Sequence, residues 1–215
     1  MILRVSEQSF RVDLRGIVDL LSHHLYSSPR VYLRELLQNS VDALTARRLL
    51  HEDMVGRVLV VPADLAADGR VHCLDTGVGL TVDEVQRFLA TIGSSSKRDE
   101  LGFARSDFLG QFGIGLLSCF LISDEITVLS RSARGGPMVR WRGSADGSYQ
   151  VQELDQQQAE AALADLPAVA TGAGIGWLVE EPGTWVALNP LPEMQDWVNG
   201  RQVRALAAEY GRMLA

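Results

Sequence analysis

Apolar residues recur at helical spacing from Leu14 to Leu25, with Leu14, Ile17, Val18, Leu20, Leu21 and Leu25 on one face. Ser27-Ser28-Pro29 breaks that pattern and can cap a second helix running from about Arg30 to Leu50. Arg57–Val61 and Arg70–Leu74 then read as short strands around a turn at Asp68-Gly69. Thr81-Val82-Asp83-Glu84 has the spelling of a capping box, so a helix is expected from near Thr81. From Thr91 to Gly115 the chain is rich in Gly and Ser and has no sustained period. A loop of that length in a compact domain goes with lids or with disorder. A short apolar helix is expected over Leu116–Ile122, followed by strands near Ile126–Ser130, Met138–Arg142 and Tyr149–Glu153. Gln156–Ala170, rich in Gln and Ala, is most simply a surface helix or an insertion. Trp177–Val179 and Thr184–Leu188 form a hairpin turning at Glu181-Pro182-Gly183, and a last helix spans Trp197–Leu214 with no stop signal. That missing stop reads as a domain cut from a longer protein.

Helices first, then strands joined by hairpin-like turns, predict an α+β fold: a two-layer sandwich with a mixed, mostly antiparallel sheet and helices packed on one face. Regular βαβ alternation is missing, which argues against a Rossmann fold. No repeat and no linker divides the 215 residues, so residues 1–215 are expected to form a single domain. A hydrophobic content of 47% and a mean hydropathy of +0.05 are enough for a substantial core. Twenty basic against 27 acidic residues give a net charge of −7, which argues against a general nucleic-acid binder. Of the basic residues only Lys97 is a lysine. Cys73 and Cys119 stand far apart and cannot alone make a disulfide scaffold or a zinc site, and a reduced, cytoplasmic setting is the economical reading. Met1-Ile2-Leu3-Arg4 opens no signal-peptide core, and no apolar run approaches the roughly 18–20 residues of a membrane helix.

Three polar constellations stand out. In the second helix, Glu35, Asn39 and Asp42 form a stripe facing away from Leu33, Leu36, Leu37, Ser40, Ala43 and Leu44. A carboxylate and a carboxamide four residues apart can converge on one ligand, the amide oxygen on a hard cation and the carboxylate orienting a water. The same stripe also fits the solvated face of an ordinary amphipathic helix. Next, Asp75-Thr76-Gly77-Val78-Gly79-Leu80 follows a strand. Its glycines allow positive φ and close approach of a flat ligand, and the carboxylate can accept from an exocyclic amine; a plain tight turn has the same composition. Finally, Gly110-Gln111-Phe112-Gly113-Ile114-Gly115 precedes an apolar helix, where free N–H groups and the positive end of the helix dipole suit an anion. No Walker lysine follows, so a phosphate site here rests on backbone amides, and a Gly-rich hinge is the alternative. His23-His24 and His51-Glu52 lack metal-ligand spacing, and Ser118 is not in a G-x-S-x-G elbow.

Taken in order, E-x-x-x-N, D-x-G-x-G and G-x-x-G-x-G resemble the ATP-binding domain shared by gyrase, heat-shock protein 90, histidine kinases and MutL, the GHKL or Bergerat fold. Val31-Tyr32-Leu33-Arg34-Glu35-Leu36-Leu37-Gln38-Asn39-Ser40-Val41-Asp42-Ala43-Leu44 is similar to the amino-terminal domain of the heat-shock protein 90 chaperones, called HtpG in bacteria. So are Leu89-Ala90-Thr91-Ile92-Gly93 and Leu109–Gly115. The likeness runs from Phe10 to the closing helix and is weakest across Gln156–Ala170.

The resemblance implies an ATPase with Glu35 as general base and Asn39 supplying an oxygen to Mg²⁺. It implies that Asp75 accepts the adenine amine, with Asp42, Gly79 and Thr184 nearby. Ser94, Gly110, Gln111, Phe112, Gly113, Ile114, Gly115 and Leu116 would contact the phosphates, and a lid at about 91–115 would close over ATP. Middle and carboxy-terminal chaperone domains, with client binding and homodimerisation, would lie outside this chain, and turnover by the domain alone would be slow. No nucleic-acid or membrane partner is expected. Ala46, Ser94, Phe88 and Leu116 depart from the usual lysines, asparagine and phenylalanine of the family. Two other readings remain: a nucleotide-sensing module with little turnover, and the ATPase domain of a gyrase- or MutL-type protein.

Overall fold

The computed structural model describes residues 28–89, 115–164 and 181–214. The expected first helix, the strand at Trp177–Val179 and nearly all of the expected lid lie outside them. The long helix α1 covers Val31–Leu50. Its start differs from the expected serine cap. Arg30 occupies the cap position without a side-chain bond, and the first turn is closed by the Ser28, Pro29 and Arg30 carbonyls. Arg47 and Arg48 sit in the last turn, where cations suit the dipole.

Strands β1 (Val58–Val61) and β2 (Val71–Asp75) follow. Helix α2 (Val82–Leu89) has the predicted capping box. The Thr81 N–H donates to Glu84 Oε2 at 2.8 Å, and the Glu84 N–H donates to Thr81 Oγ1 at 3.3 Å. The expected short apolar helix is a 3-10 segment, Gly115–Leu121. Then come β3 (Ser123–Arg131), β4 (Met138–Ser144), β5 (Tyr149–Leu154), α3 (Gln156–Ala164) and β6 (Gly183–Pro190). A one-turn helix, Gln195–Val198, leads into α4 (Gly200–Leu214).

The six strands lie in the order β1-β2-β6-β3-β4-β5, and every pairing among the described residues is antiparallel. The last strand in sequence is therefore central in space. Its insertion brings Thr184 opposite Asp75 on one side and Ser130 on the other.

One face of the sheet carries the main core. Val71, Cys73, Ile126, Val128, Trp141 and Leu188 pack there with Tyr32, Leu33 and Leu36 of α1 and with Val203, Leu206 and Tyr210 of α4. Tyr32 ties the helical layer together by donating from its hydroxyl to the Trp197 carbonyl at 3.1 Å. This is the α+β sandwich the element order predicts.

The opposite face has a second apolar cluster: Leu74, Leu129, Met138, Leu154, Trp185 and Ala187, with Ala159, Ala162 and Leu163 of α3. The Gln/Ala-rich segment is thus packed rather than merely superficial. β2, β3 and β6 carry apolar residues on both faces, and water is excluded from both only if something covers the second. His72 is fully buried on that face. It accepts at Nδ1 from the Trp185 indole N–H at 3.0 Å and bonds Asp68 Oδ1 through Nε2, also at 3.0 Å. Burial holds its pKa below the ordinary value, so the ring is neutral near pH 7.

Leu163→Ala separates packed from superficial. It is expected to lower stability in urea unfolding by about 2–4 kcal/mol. A helix lying free on the surface would lose less than about 0.5 kcal/mol.

Candidate functional site

Asp75 closes β2 directly beneath α1 and is only 6% exposed. The Gly77 N–H donates to its Oδ1 at 2.8 Å. The Thr184 backbone N–H and the Ser40 hydroxyl are further partners, and the Arg47 charge acts on it as well. All of these favour the ionised form, yet burial dominates and pushes the carboxyl up to about 7. Ser40 Oγ also lies 3.7 Å from Cys73 Sγ, and burial raises that thiol to about 12.

The two glycines after Asp75 answer to the protein's own packing. A Cβ on Gly77 would stand 2.6 Å from Asp75 Oδ1 and would collide with the side chain of Ala43 on α1. Gly79 has φ +62°, and a side chain there would run into the Arg131 carbonyl. Backbone bonds fasten the same turn: the Val78 N–H donates to the Ala43 carbonyl at 2.9 Å, and the Ala133 N–H donates to the Val78 carbonyl at 2.8 Å. Ser130 Oγ accepts from the Leu80 N–H at 2.8 Å and lies 2.9 Å from Thr184 Oγ1. Asp75, Gly79 and Thr184 are thereby joined in one small region.

Glu35, Asn39 and Asp42 do not form a solvated face. All three are half-buried, and the Glu35 side chain is 15% exposed. One Glu35 oxygen accepts from Arg34 Nη2 at 2.8 Å. The other faces Gly115, where an added Cβ would come within 2.6 Å of it. The Asp42 carboxylate accepts from Gln38 Nε2 at 2.8 Å. Gly115 begins the 3-10 segment packed on α1, its carbonyl accepts from Ser118 Oγ at 2.7 Å, and Leu116 is half-buried beside it.

α1 therefore meets the Asp75 turn through Ser40, Ala43 and Arg47, and the end of the third glycine motif through Glu35. Ser94, Gly110, Gln111, Phe112, Gly113 and Ile114 lie outside the described residues, as does Lys97.

Three residues of this region escape the motif reading. Ser40 looked like a filler on the apolar side of α1. Ser130 looked like the end of an apolar strand. Arg47 had a usable signal: with Leu33, Leu36, Ser40 and Leu44 it continues the buried stripe at helical spacing, which is an odd place for an arginine.

A family model described as "Histidine kinase-, DNA gyrase B-, and HSP90-like ATPase" matches residues 26–171, more than half of the chain. The chain belongs to that ATPase family and is one of its nucleotide-binding domains. Among its relatives, the chaperone protein HtpG of Chlorobium luteolum is 32% identical over 171 residues, covering 72% of this chain and 27% of the relative. HtpG of Mycolicibacterium gilvum is 27% identical over 230 residues, covering 98% and 32%. HtpG of Rhodococcus jostii is 28% identical over 236 residues, covering 100% and 33%. The chain thus spans roughly a quarter to a third of the length of the curated relatives it matches, and the domain is HtpG-like.

Gly77→Ala tests how tightly the turn is clamped. Both Ala43 and Asp75 must give way, so a loss of about 1–3 kcal/mol is expected in thermal or urea unfolding.

Proposed function

We propose that this domain binds ATP between α1 and the turn at Asp75–Leu80 and hydrolyses it slowly, as the ATPase part of an HtpG-like molecular chaperone that assists protein folding. The observation that carries the reading is Asp75: a buried carboxylate, oriented by N–H groups from two strand ends, a short way along α1 from the half-buried Glu35. A fixed acceptor of this kind suits the exocyclic amine of adenine, with Gly79 and Thr184 beside it. Asp42 lines the same side of α1. The backbone of residues 110–116 is the cradle for the phosphates, ending at Gly115 and Leu116, and Ser94 with the rest of residues 91–115 is the lid.

Glu35 is the group that orients the attacking water and takes its proton, since its carboxylate lies against the end of the glycine motif. Phosphoryl transfer asks the protein mainly for positioning and charge stabilisation, and these residue types supply both. The described residues hold no group of three or more His, Cys, Asp and Glu side chains able to bind a metal alone. One carboxamide oxygen, on Asn39, fits the kind of Mg²⁺ site that is completed by nucleotide oxygens and water. When bound, Mg²⁺ would neutralise charge on the phosphate oxygens.

Client binding and homodimerisation belong, on this reading, to parts of a full-length chaperone beyond this domain. A cytoplasmic setting fits the HtpG relatives, and no described helix is long and apolar enough to cross a membrane. A nucleotide-sensing module with little turnover is the second reading. The ion pair between Arg34 and Glu35 favours it, because one oxygen of the base is already occupied.

Calorimetric titration with ADP and Mg²⁺ should give saturable binding that Asp75→Asn weakens at least tenfold. No heat at high micromolar nucleotide would overturn the assignment. Glu35→Gln should leave ADP affinity within about threefold while reducing phosphate release about 100-fold or more. Unchanged phosphate release would favour the sensor.

A further inference from the structure

Arg47 is the only buried arginine among the described residues. Its Nη1 donates to the Thr76 carbonyl at 2.8 Å and to the Pro182 carbonyl at 3.1 Å, and its Nη2 reaches Glu181 Oε2 at 3.3 Å. Thr76 directly follows Asp75, and Pro182 stands two residues before Thr184, whose N–H holds the Asp75 carboxylate. The guanidinium thus stitches together the two strand ends that orient Asp75. A planar fork suits that task, because it can serve two carbonyls and a carboxylate at once.

The surroundings of Asp75 leave Arg47 alone in one respect. On the α1 side stand the Ser40 hydroxyl and Arg47. β2 adds the neutral Cys73 thiol, the turn adds the Gly77 N–H, and β6 adds the Thr184 N–H. Glu181, half exposed, sits on the far side of the guanidinium. Arg47 is the one cation acting on Asp75 among the described residues.

We infer that Arg47 is a positioning residue that sets base selectivity, by keeping Asp75 an ionised acceptor that takes a 6-amino purine and rejects a 6-oxo purine. The inference rests on the proposal that Asp75 meets the purine. An ionised carboxylate can only accept, so it pairs with a 6-amino group and faces the lone pairs of a 6-oxo group unfavourably. A neutral carboxylic acid keeps a carbonyl that accepts and gains an O–H that donates, so it no longer tells the two groups apart. Burial already brings Asp75 to about 7 with the arginine in place. The preference for adenine should therefore be full above that pH and fall below it, by at most about tenfold per unit. Removing the cation raises the pKa further and moves that fall to higher pH.

The test is calorimetric titration of the full chain with ADP and with inosine diphosphate between pH 6 and 8. The diphosphate is common to both ligands, so its own titration cancels in their ratio. The unaltered protein should prefer ADP at least tenfold at pH 8. In Arg47→Met the pH midpoint of the preference should rise by about one unit, and the preference at pH 7.5 should shrink about fivefold to tenfold. The rate of phosphate release at saturating ATP should stay the same, with the change confined to KM. Arg47→Lys, which keeps the charge and loses the fork, should retain the preference and the midpoint while melting at lower temperature. A folded Arg47→Met protein with the original ratio and midpoint would overturn the inference. Loss of the preference in Arg47→Lys would do the same, since selectivity would then follow the fork's geometry rather than the charge; that variant carries the test where Arg47→Met does not fold. Failure of the unaltered protein to bind either diphosphate would instead remove the nucleotide site itself, and this outcome is distinct from the other two.

Discussion

The burial of one carboxylate governs this molecule. Asp75 ends a strand whose every residue is buried, and an isolated charge there would be costly. The surroundings answer with two backbone N–H groups, a hydroxyl and a guanidinium drawn from the helix, the following turn and the neighbouring strand. Each of these partners fixes a piece of chain. The Gly77 N–H fixes the turn, the Thr184 N–H fixes the start of β6, and Arg47 and Ser40 fix the register of α1 on the sheet. A polar group that is expensive to bury and nearly satisfied is a strong specifier of one arrangement, because any slip strands it. In the proposed site it would also be a sensitive ligand contact, since a small change in its surroundings decides whether it only accepts or can also donate.

Helix α1 is where the parts converge. It packs on the sheet through Leu33 and Leu36 and anchors the helical layer through Tyr32. It also presses Ala43 against Gly77 and Glu35 against Gly115. The glycines at these contacts are small so that backbone can approach the helix. Flexibility of the motif is therefore a poor description of the Asp75 turn, which is held by hydrogen bonds on both sides. The long apolar stripe that packs α1 also aims its carboxylates, so packing and chemistry share one element.

How much was legible beforehand depends on how local the determining interaction is. The capping box at Thr81–Glu84 involves neighbours three apart, and it forms as spelled. The buried face of α1 follows from helical spacing, and Leu33, Leu36, Ser40 and Leu44 are buried as expected. Gly77 and Gly79 were recognisable as positions needing room, and a Cβ on either would meet Ala43 or Arg131. At the start of α1 the serine contributes one long bond, Ser28 Oγ accepting from the Arg30 N–H at 3.5 Å, and backbone turns close the rest of that end. The role of α3 was hidden because a Gln/Ala-rich helix declares its buried side only when the sheet face opposite is known.

Period and turn residues are written along the chain and were enough to predict an α+β fold, while the order of three short motifs carried a resemblance that implied an ATPase domain, the family the chain belongs to. What surrounds the motif residues was decided in three dimensions. β6 inserts between β2 and β3, and only that insertion brings Thr184 and Ser130 beside Asp75 and sets Pro182 within reach of Arg47. Hydrogen bonding, desolvation and charge act through space over a few ångströms, so the ionisation of Asp75 belongs to the assembled sheet and helix.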